Sequence, residues 1–172
     1  MDENQPKIGK FSLNYGLILG AISVAFGVML FTMDAHTSQD PINTVINIVL
    51  MVGITFWGIH AYRKANGGFL KLGEAVKLGA GIALVAGVIG VIYLLLLSNV
   101  LDPDFAVKAT EARLAEVEAT GQLTAEQLEQ QKEMSVKFFW IGYPVILIFN
   151  IIIGLVIGLI GGLIFKKAKP AY

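Results

Sequence analysis

The sequence predicts an all-α polytopic membrane protein: four transmembrane helices, with an exterior helical hairpin between helices 3 and 4. Three observations carry that prediction. Residues 11–33, 41–62, 78–101 and 138–165 contain no Asp, Glu, Lys or Arg, so all 26 charged side chains fall in the other 75 residues of the chain. A soluble helix keeps a polar face in water, whereas a charge at the centre of a lipid-facing helix costs about 2.5 to 3.5 kcal/mol. Each stretch also exceeds or matches the roughly 20 residues that cross a hydrocarbon core. Finally, the spans punctuate the charges asymmetrically: with the N-terminus inside, the inner segments carry Lys7, Lys10, Arg63, Lys64, Lys71, Lys77, Lys166, Lys167 and Lys169 against Asp2, Glu3 and Glu74. The outer segments carry Lys108, Arg113, Lys132 and Lys137 against ten carboxylates, so a chain of zero net charge divides into +6 inside and −6 outside. Cations set orientation, and both termini are therefore expected in the cytoplasm.

Taken in order, residues 1–10 read as a polar leader with Pro6 and Gly9, disordered until the first helix begins. The first span, 11–33, is too long for a signal-peptide core, and Thr32, Met33, Asp34 and Ala35 make a poor cleavage site, so it is expected to remain as an anchor. It carries Gly16, Gly20 and Gly27 with Ser23 and Ala25 between them. Residues 34–40 then force an antiparallel neighbour, and Asp40 before Pro41 reads as an N-cap followed by proline at the first helical position. The second span, 42–62, ends in Arg63 and Lys64 before Asn66-Gly67-Gly68, a helix stop that supplies positive φ.

From Phe69 onward Leu72, Ala75, Val76 and Gly79 recur at helical spacing while Lys71, Glu74 and Lys77 form a polar edge. This reads as an interfacial lead into the third span, 78–101, with Glu74 expected in an ion pair with Lys71 or Lys77. Asp102-Pro103-Asp104 is expected to cap the first arm of the hairpin, 103–137, whose stripe is Val107, Thr110, Leu114 and Val117. That arm stops at Thr120-Gly121, and Thr124-Ala125-Glu126-Gln127 is a capping box for the second. Leu128, Gln131 and Met134 are the face expected against the first arm. No helix breaker separates Lys132 from Trp140, so the second arm is expected to run into the fourth span, 138–165, with a kink at Pro144.

Chemistry-bearing residues are sparse. Gly154, Gly158 and Gly162 in the fourth span, and Gly79, Ala83 and Gly87 in the third, form two small-residue ladders at four-residue spacing, which let helix backbones approach closely. Packing inside the bundle is favoured over dimerisation, because four helices in one chain offer their own partners first. Asn150 near mid-membrane, with Tyr93, is the candidate lining of a small polar pocket, although polar residues in such helices more often hold helices together. Asn43 and Asn47 share one face near the outer surface. His60 and His36 fall at opposite membrane faces, so no histidine pair is available for a metal, and the absence of cysteine removes disulfide, thiol and cysteine-ligand chemistry. No catalytic residues, metal ligands or cofactor site are expected, and the spans hold no carboxylate or cation of the kind that ion pumps place at membrane depth.

The segments Asn14-Tyr15-Gly16-Leu17-Ile18-Leu19-Gly20, Tyr62-Arg63 through Gly67-Gly68-Phe69 to Gly73-Glu74-Ala75, and the acidic hairpin with Gly121 and Thr124-Ala125-Glu126-Gln127 have a familiar pattern. In them the chain resembles a bacterial family of small four-span inner-membrane proteins, the domain of unknown function numbered 4199. The resemblance implies the same four-span layout across nearly the whole chain, and a bacterial inner membrane with a periplasmic hairpin. It supplies no functional residues. The chain is thus expected to be a single membrane domain, 1–172, and a non-enzymatic structural or interaction subunit. Its expected partners are the lipid bilayer and another membrane protein or a second copy, with no nucleic acid; a small-solute transporter or channel is the alternative.

Overall fold

The computed structural model describes residues 6–119, 121 and 123–168. Asp2, Glu3, Thr120 and Lys169, invoked above for charge and for a helix stop, lie outside the described residues. Six α-helices follow one another: α1 (Ile8–Thr32), α2 (Pro41–Ala65), α3 (Leu72–Leu96), α4 (Phe105–Ala119), α5 (Ala125–Lys137) and α6 (Gly142–Phe165). One π-helical turn, Leu97–Leu101, extends α3, and one 3-10 turn, Phe139–Ile141, precedes α6. Among the described residues, four helical stretches are long and apolar enough to cross a membrane: Ile8–Thr32, Pro41–Ala65, Leu72–Leu101 and Phe139–Phe165. Their outward surface is a belt of exposed Leu, Ile, Val and Phe, including Val49, Ile92, Ile148 and Phe149. A patch of that size and continuity belongs against lipid rather than water.

The helix ends depart from the expected boundaries in a consistent way. α1 begins at Ile8 instead of after residue 10, and α2 runs through Arg63 and Lys64 to Ala65. Both are continuations of a membrane helix into the interfacial layer, where Lys and Arg stems lie along apolar surface and cations in the last turn of α2 meet the negative end of its dipole. Asp40 caps α2 as expected, its Oδ1 accepting from the Ile42 N–H at 2.9 Å with Pro41 in the first turn. Gly67 and Gly68 take positive φ in the α2–α3 connection.

α3 is the central helix. One face packs against α6 and the opposite face against α1, while α2 lies across from α3 and touches α1 and α6. Glycine sets both close contacts. Along α6, a methyl group on Gly158 would lie 2.7 Å from the Ala75 carbonyl oxygen, and one on Gly79 would meet the Gly154 carbonyl and come within 2.8 Å of the Gly158 Cα. These helices touch backbone to backbone. Along α1 the contact has another character, with large α3 side chains seated in notches: Val85 over Gly16, Ile89 over Gly20 and Tyr93 over Gly27, and Gly81 receiving Ser12.

Buried side chains concentrate toward the end of the bundle where α1 begins and α6 ends. Ile59, Tyr62, Leu70, Ala75 and Leu78 form a core there, covered by Ile8, Phe11 and Phe165. Leu70 and Lys167 exchange two backbone hydrogen bonds of 3.0 Å, which fasten the α2–α3 connection to the chain leaving α6. α4 and α5 lie at the other end. They run antiparallel, with Lys132 paired to Glu111 at 2.7 Å and the Arg113 Nη2 donating to Ser135 Oγ at 3.2 Å.

Two expectations about that pair are corrected. The face of α5 against α4 is Leu128, Lys132 and Ser135, not Leu128, Gln131 and Met134; Gln131 and Met134 are exposed. A polar pair bridging two solvated helices outweighed the apolar stripe, because α5 has no buried residue at all. Nor does α5 continue into α6: the helix ends at Lys137, and Phe138 and the 3-10 turn separate the two. Pro144 is the third residue of α6, where its missing N–H has no helical acceptor to lose, so it starts the helix rather than kinking it.

Candidate functional site

A largely enclosed polar cluster lies where α4 meets the end of α3. The π-turn closes with the Asp102 N–H donating to the Leu97 carbonyl at 2.8 Å, which swings the following carboxylate inward. Ser98 and Tyr143 share a 3.0 Å hydroxyl–hydroxyl hydrogen bond and pin that turn to the start of α6. Asp102 is 7 % exposed. Its Oδ1 accepts from Lys108 Nζ at 2.7 Å and its Oδ2 faces His36 Nε2 at 2.9 Å. Three separate elements thereby meet on one carboxylate: the α1–α2 loop, the end of α3 and the first turns of α4.

The sequence assigned Asp102 to capping α4, and the structure assigns it otherwise. α4 starts at Phe105 after a turn through Pro103 and Asp104, and the Asp102 side chain is occupied by the two cationic or polar side chains. The hydrogen bond from Lys108, and secondarily the one to His36, holds the Asp102 carboxyl below the usual aspartate range. The same bond from the other side raises Lys108 above the ordinary lysine range. Aromatic rings close the cluster. The His36 imidazole stacks on Phe105, with centroids 5.9 Å apart, and meets Phe31 edge-on at 5.1 Å. Phe105 contacts Phe139, which contacts Tyr143. His36 Nδ1 is buried and has no hydrogen-bond partner among the described residues.

The α4–α5 pair stands on this clamp. Thr110 and Leu114 of α4 are buried and Val107 and Val117 half-buried, so the expected stripe faces inward. Thr124 and Gln127 cap α5 reciprocally, at 2.9 and 3.3 Å. Glu116, Glu118, Glu126, Glu129 and Glu133 are all exposed, which leaves the outer surface of the pair acidic.

The other candidate residues fall as follows. Gly79 and Ala83 meet Gly154 and Gly158 at the α3–α6 contact; Gly162 lies against Leu72 and Ala75, and Gly87 against Leu147 and Asn150. Asn150 and Tyr93 are on different contacts. The Asn150 amide donates to the Ile146 carbonyl of its own helix at 2.9 Å, beside Gly87, whereas the Tyr93 ring fills the Gly27 notch of α1. The Tyr93 hydroxyl has no hydrogen-bond partner among the described residues, so no bond joins it to Asn150. Asn47 donates to the Asn43 carbonyl at 2.9 Å, His60 lies edge-on to Phe165, and Glu74 accepts from the Lys71 N–H at 2.7 Å and from the Tyr62 hydroxyl. Glu74 therefore serves as a helix cap and a tie between α2 and α3. Among the described residues, no three His, Cys, Asp or Glu side chains gather as a metal site.

Sequence reasoning missed the cluster because His36 is 66 residues from Asp102 and each member has an ordinary local use. The one signal available was a histidine in a seven-residue loop without Lys or Arg, opposite a Ser-Asn-Val-Leu-Asp-Pro-Asp end to the third span. No curated protein and no solved structure matches the chain. A family model does match, over residues 14–167, from the first span to the residues just past α6, and the chain belongs to that family, described as Protein of unknown function (DUF4199).

Proposed function

We propose that this protein is a non-enzymatic, multi-pass membrane subunit that holds a partner through the acidic outer surface of the α4–α5 pair. The observation that carries this reading is the contrast between how firmly the pair is seated and how little of it is consumed by the fold. Asp102, Lys108 and His36 fix its base, while α5 buries no residue and five glutamates of the pair face outward. A rigid, charged platform of that kind suits recognition of a basic surface, since complementary charge steers encounter and fixes register. The Lys and Arg asymmetry supports an orientation with both termini cytoplasmic and the pair outside, and the family resemblance supports a bacterial inner membrane. The transporter reading has less support, because Asn150 and Tyr93 lie on different helix contacts.

Site-specific photo-crosslinking in cells tests this. A photoreactive residue at Glu129 should give one adduct of defined mass, and one at Ile160, on the lipid-facing side of α6, should not. Charge reversal at Glu118, Glu126 and Glu133 together, with the photoreactive residue kept at position 129, should remove the adduct. An adduct that survives charge reversal, or none from Glu129, overturns the proposal.

A further inference from the structure

A cavity of about 470 Å³ opens between the end of α3, the inner side of α4 and the start of α6. It adjoins the Asp102 cluster through Phe139 and Tyr143, which line it, but Asp102, Lys108 and His36 do not, and neither do the glutamates of the acidic outer surface. Its walls have two parts. Leu94, Val145 and Ile146 belong to helices long and apolar enough to cross a membrane, and Val145 and Ile146 are exposed on that lipid-facing surface. Arg113 and Ser135 belong to α4 and α5, outside those spans. The cavity therefore straddles the boundary between hydrocarbon and water.

The charge at its rim is of one sign. Arg113 donates to Ser135 Oγ and pairs with no carboxylate among the described residues, although α4 and α5 between them carry Glu111, Glu116, Glu118, Glu126, Glu129 and Glu133. Lys137 stands 5.6 Å from the centroid of Phe138, another wall residue. An apolar chamber with a few placed polar groups is the general form of a ligand site, and a guanidinium presents a planar fork that matches phosphate oxygens. Tyr143 in its wall and Trp140, next in sequence to the wall residues Phe139 and Ile141, are residues typical of the headgroup layer.

We propose that this cavity binds an anionic phospholipid from the leaflet on the α4–α5 side, with its phosphate at Arg113 and Lys137 and an acyl chain along Leu94, Val145 and Ile146. Lipid reaches the chamber sideways, past the exposed Val145 and Ile146. Gly142 lines the chamber, and a Cβ built there meets nothing within 4 Å. Its φ of −58° suits any residue, so a leucine there fills the chamber without forcing the backbone.

The test uses the purified full-length protein in phosphatidylcholine vesicles containing a small fraction of a phosphatidylglycerol analogue with a photoreactive acyl chain. Labelling of residues 138–146 is divided by labelling of residues 159–163, whose Leu159 and Leu163 report ordinary lipid contact. The phosphatidylglycerol probe should give a ratio well above that of the matching phosphatidylcholine probe. Arg113→Gln should lower it roughly tenfold, the loss of one charge-assisted hydrogen bond. Gly142→Leu should lower it for both probes. Unchanged elution and melting of the two variants establish that they are folded; should Gly142→Leu fail to fold, Arg113→Gln still decides. Equal ratios for the two lipids, or an unchanged ratio in Arg113→Gln, overturn the proposal. Competition by millimolar inorganic phosphate equal to that by unlabelled phosphatidylglycerol would identify a free-anion site, and would overturn it too.

Discussion

At the scale of single residues, Asp102 ties together the α1–α2 loop, the end of α3 and the start of α4. Its carboxylate is removed from water, and the Lys108 and His36 contacts replace the hydration it loses. The consequence for pH follows from the direction of each shift. Asp102 titrates lower in the folded protein than the ordinary value of about 4, so the unfolded chain binds more protons near that pH. The stabilisation is complete above the unfolded value and is lost as pH falls through the folded one. Lys108 is raised, so its share is complete below the ordinary lysine value of about 10.4 and is lost as pH rises through the folded value. Thermal melts of the solubilised protein should therefore fall at the acidic extreme, and Asp102→Asn should melt lower than the parent at neutral pH while losing most of that acid slope. An acid slope identical in Asp102→Asn would show that the carboxylate is not the titrating group. None of this was legible from local sequence, where Asp102 before a proline has the form of an ordinary cap.

At the scale of elements, α3 shows which packing signals a sequence carries and which it hides. Its contact with α6 uses small residues on both helices at regular spacing, so the ladder Gly79, Ala83 and Gly87 was readable before any geometry. Its contact with α1 uses Val85, Ile89 and Tyr93, which are ordinary membrane-helix residues, and the notches that receive them fall at Gly16, Gly20 and Gly27 with unequal spacing. Only the notches had a signature, and nothing in it named the partner. The two contacts predict unequal tolerance. Gly79→Leu meets the backbone of α6, which cannot rotate away, and should exceed the usual overpacking cost of about 1 to 3 kcal/mol. Gly90→Ala meets nothing within 4 Å and should be neutral or slightly stabilising through helix propensity. Unfolding of the two variants from mixed micelles by sodium dodecyl sulfate checks both; equal destabilisation would show that backbone contact is not the determinant. α5 makes a third case. It buries nothing, so its reciprocal cap is a large part of what keeps it helical, and Thr124→Ala should cost about 1 kcal/mol. Hydrogen exchange should rise across α5 while α4 stays protected.

For the whole molecule, the sequence revealed the number of long apolar helices through the confinement of charge, a signal that depends on the solvent and needs no knowledge of tertiary contacts. What it did not reveal was how the two ends differ. The end where α1 begins and α6 ends is closed by buried apolar residues and the backbone bridge between Leu70 and Lys167, and the other by one buried carboxylate and a ring of aromatics. Those contacts are made by residues distant in the chain, and their composition at each end is individually unremarkable. The proposed orientation is open to a direct test, because the chain has no cysteine and every introduced thiol is unique. Glu118, Lys64 and Lys166 are exposed, the first on α4 and the others at the opposite end of the bundle. In intact cells Glu118→Cys should react with a membrane-impermeant maleimide, whereas Lys64→Cys and Lys166→Cys should react only after permeabilisation. The reverse pattern would invert the orientation while preserving four crossings. Unequal behaviour of Lys64→Cys and Lys166→Cys would be more damaging, since an even number of crossings between residues 64 and 166 requires both to report the same side.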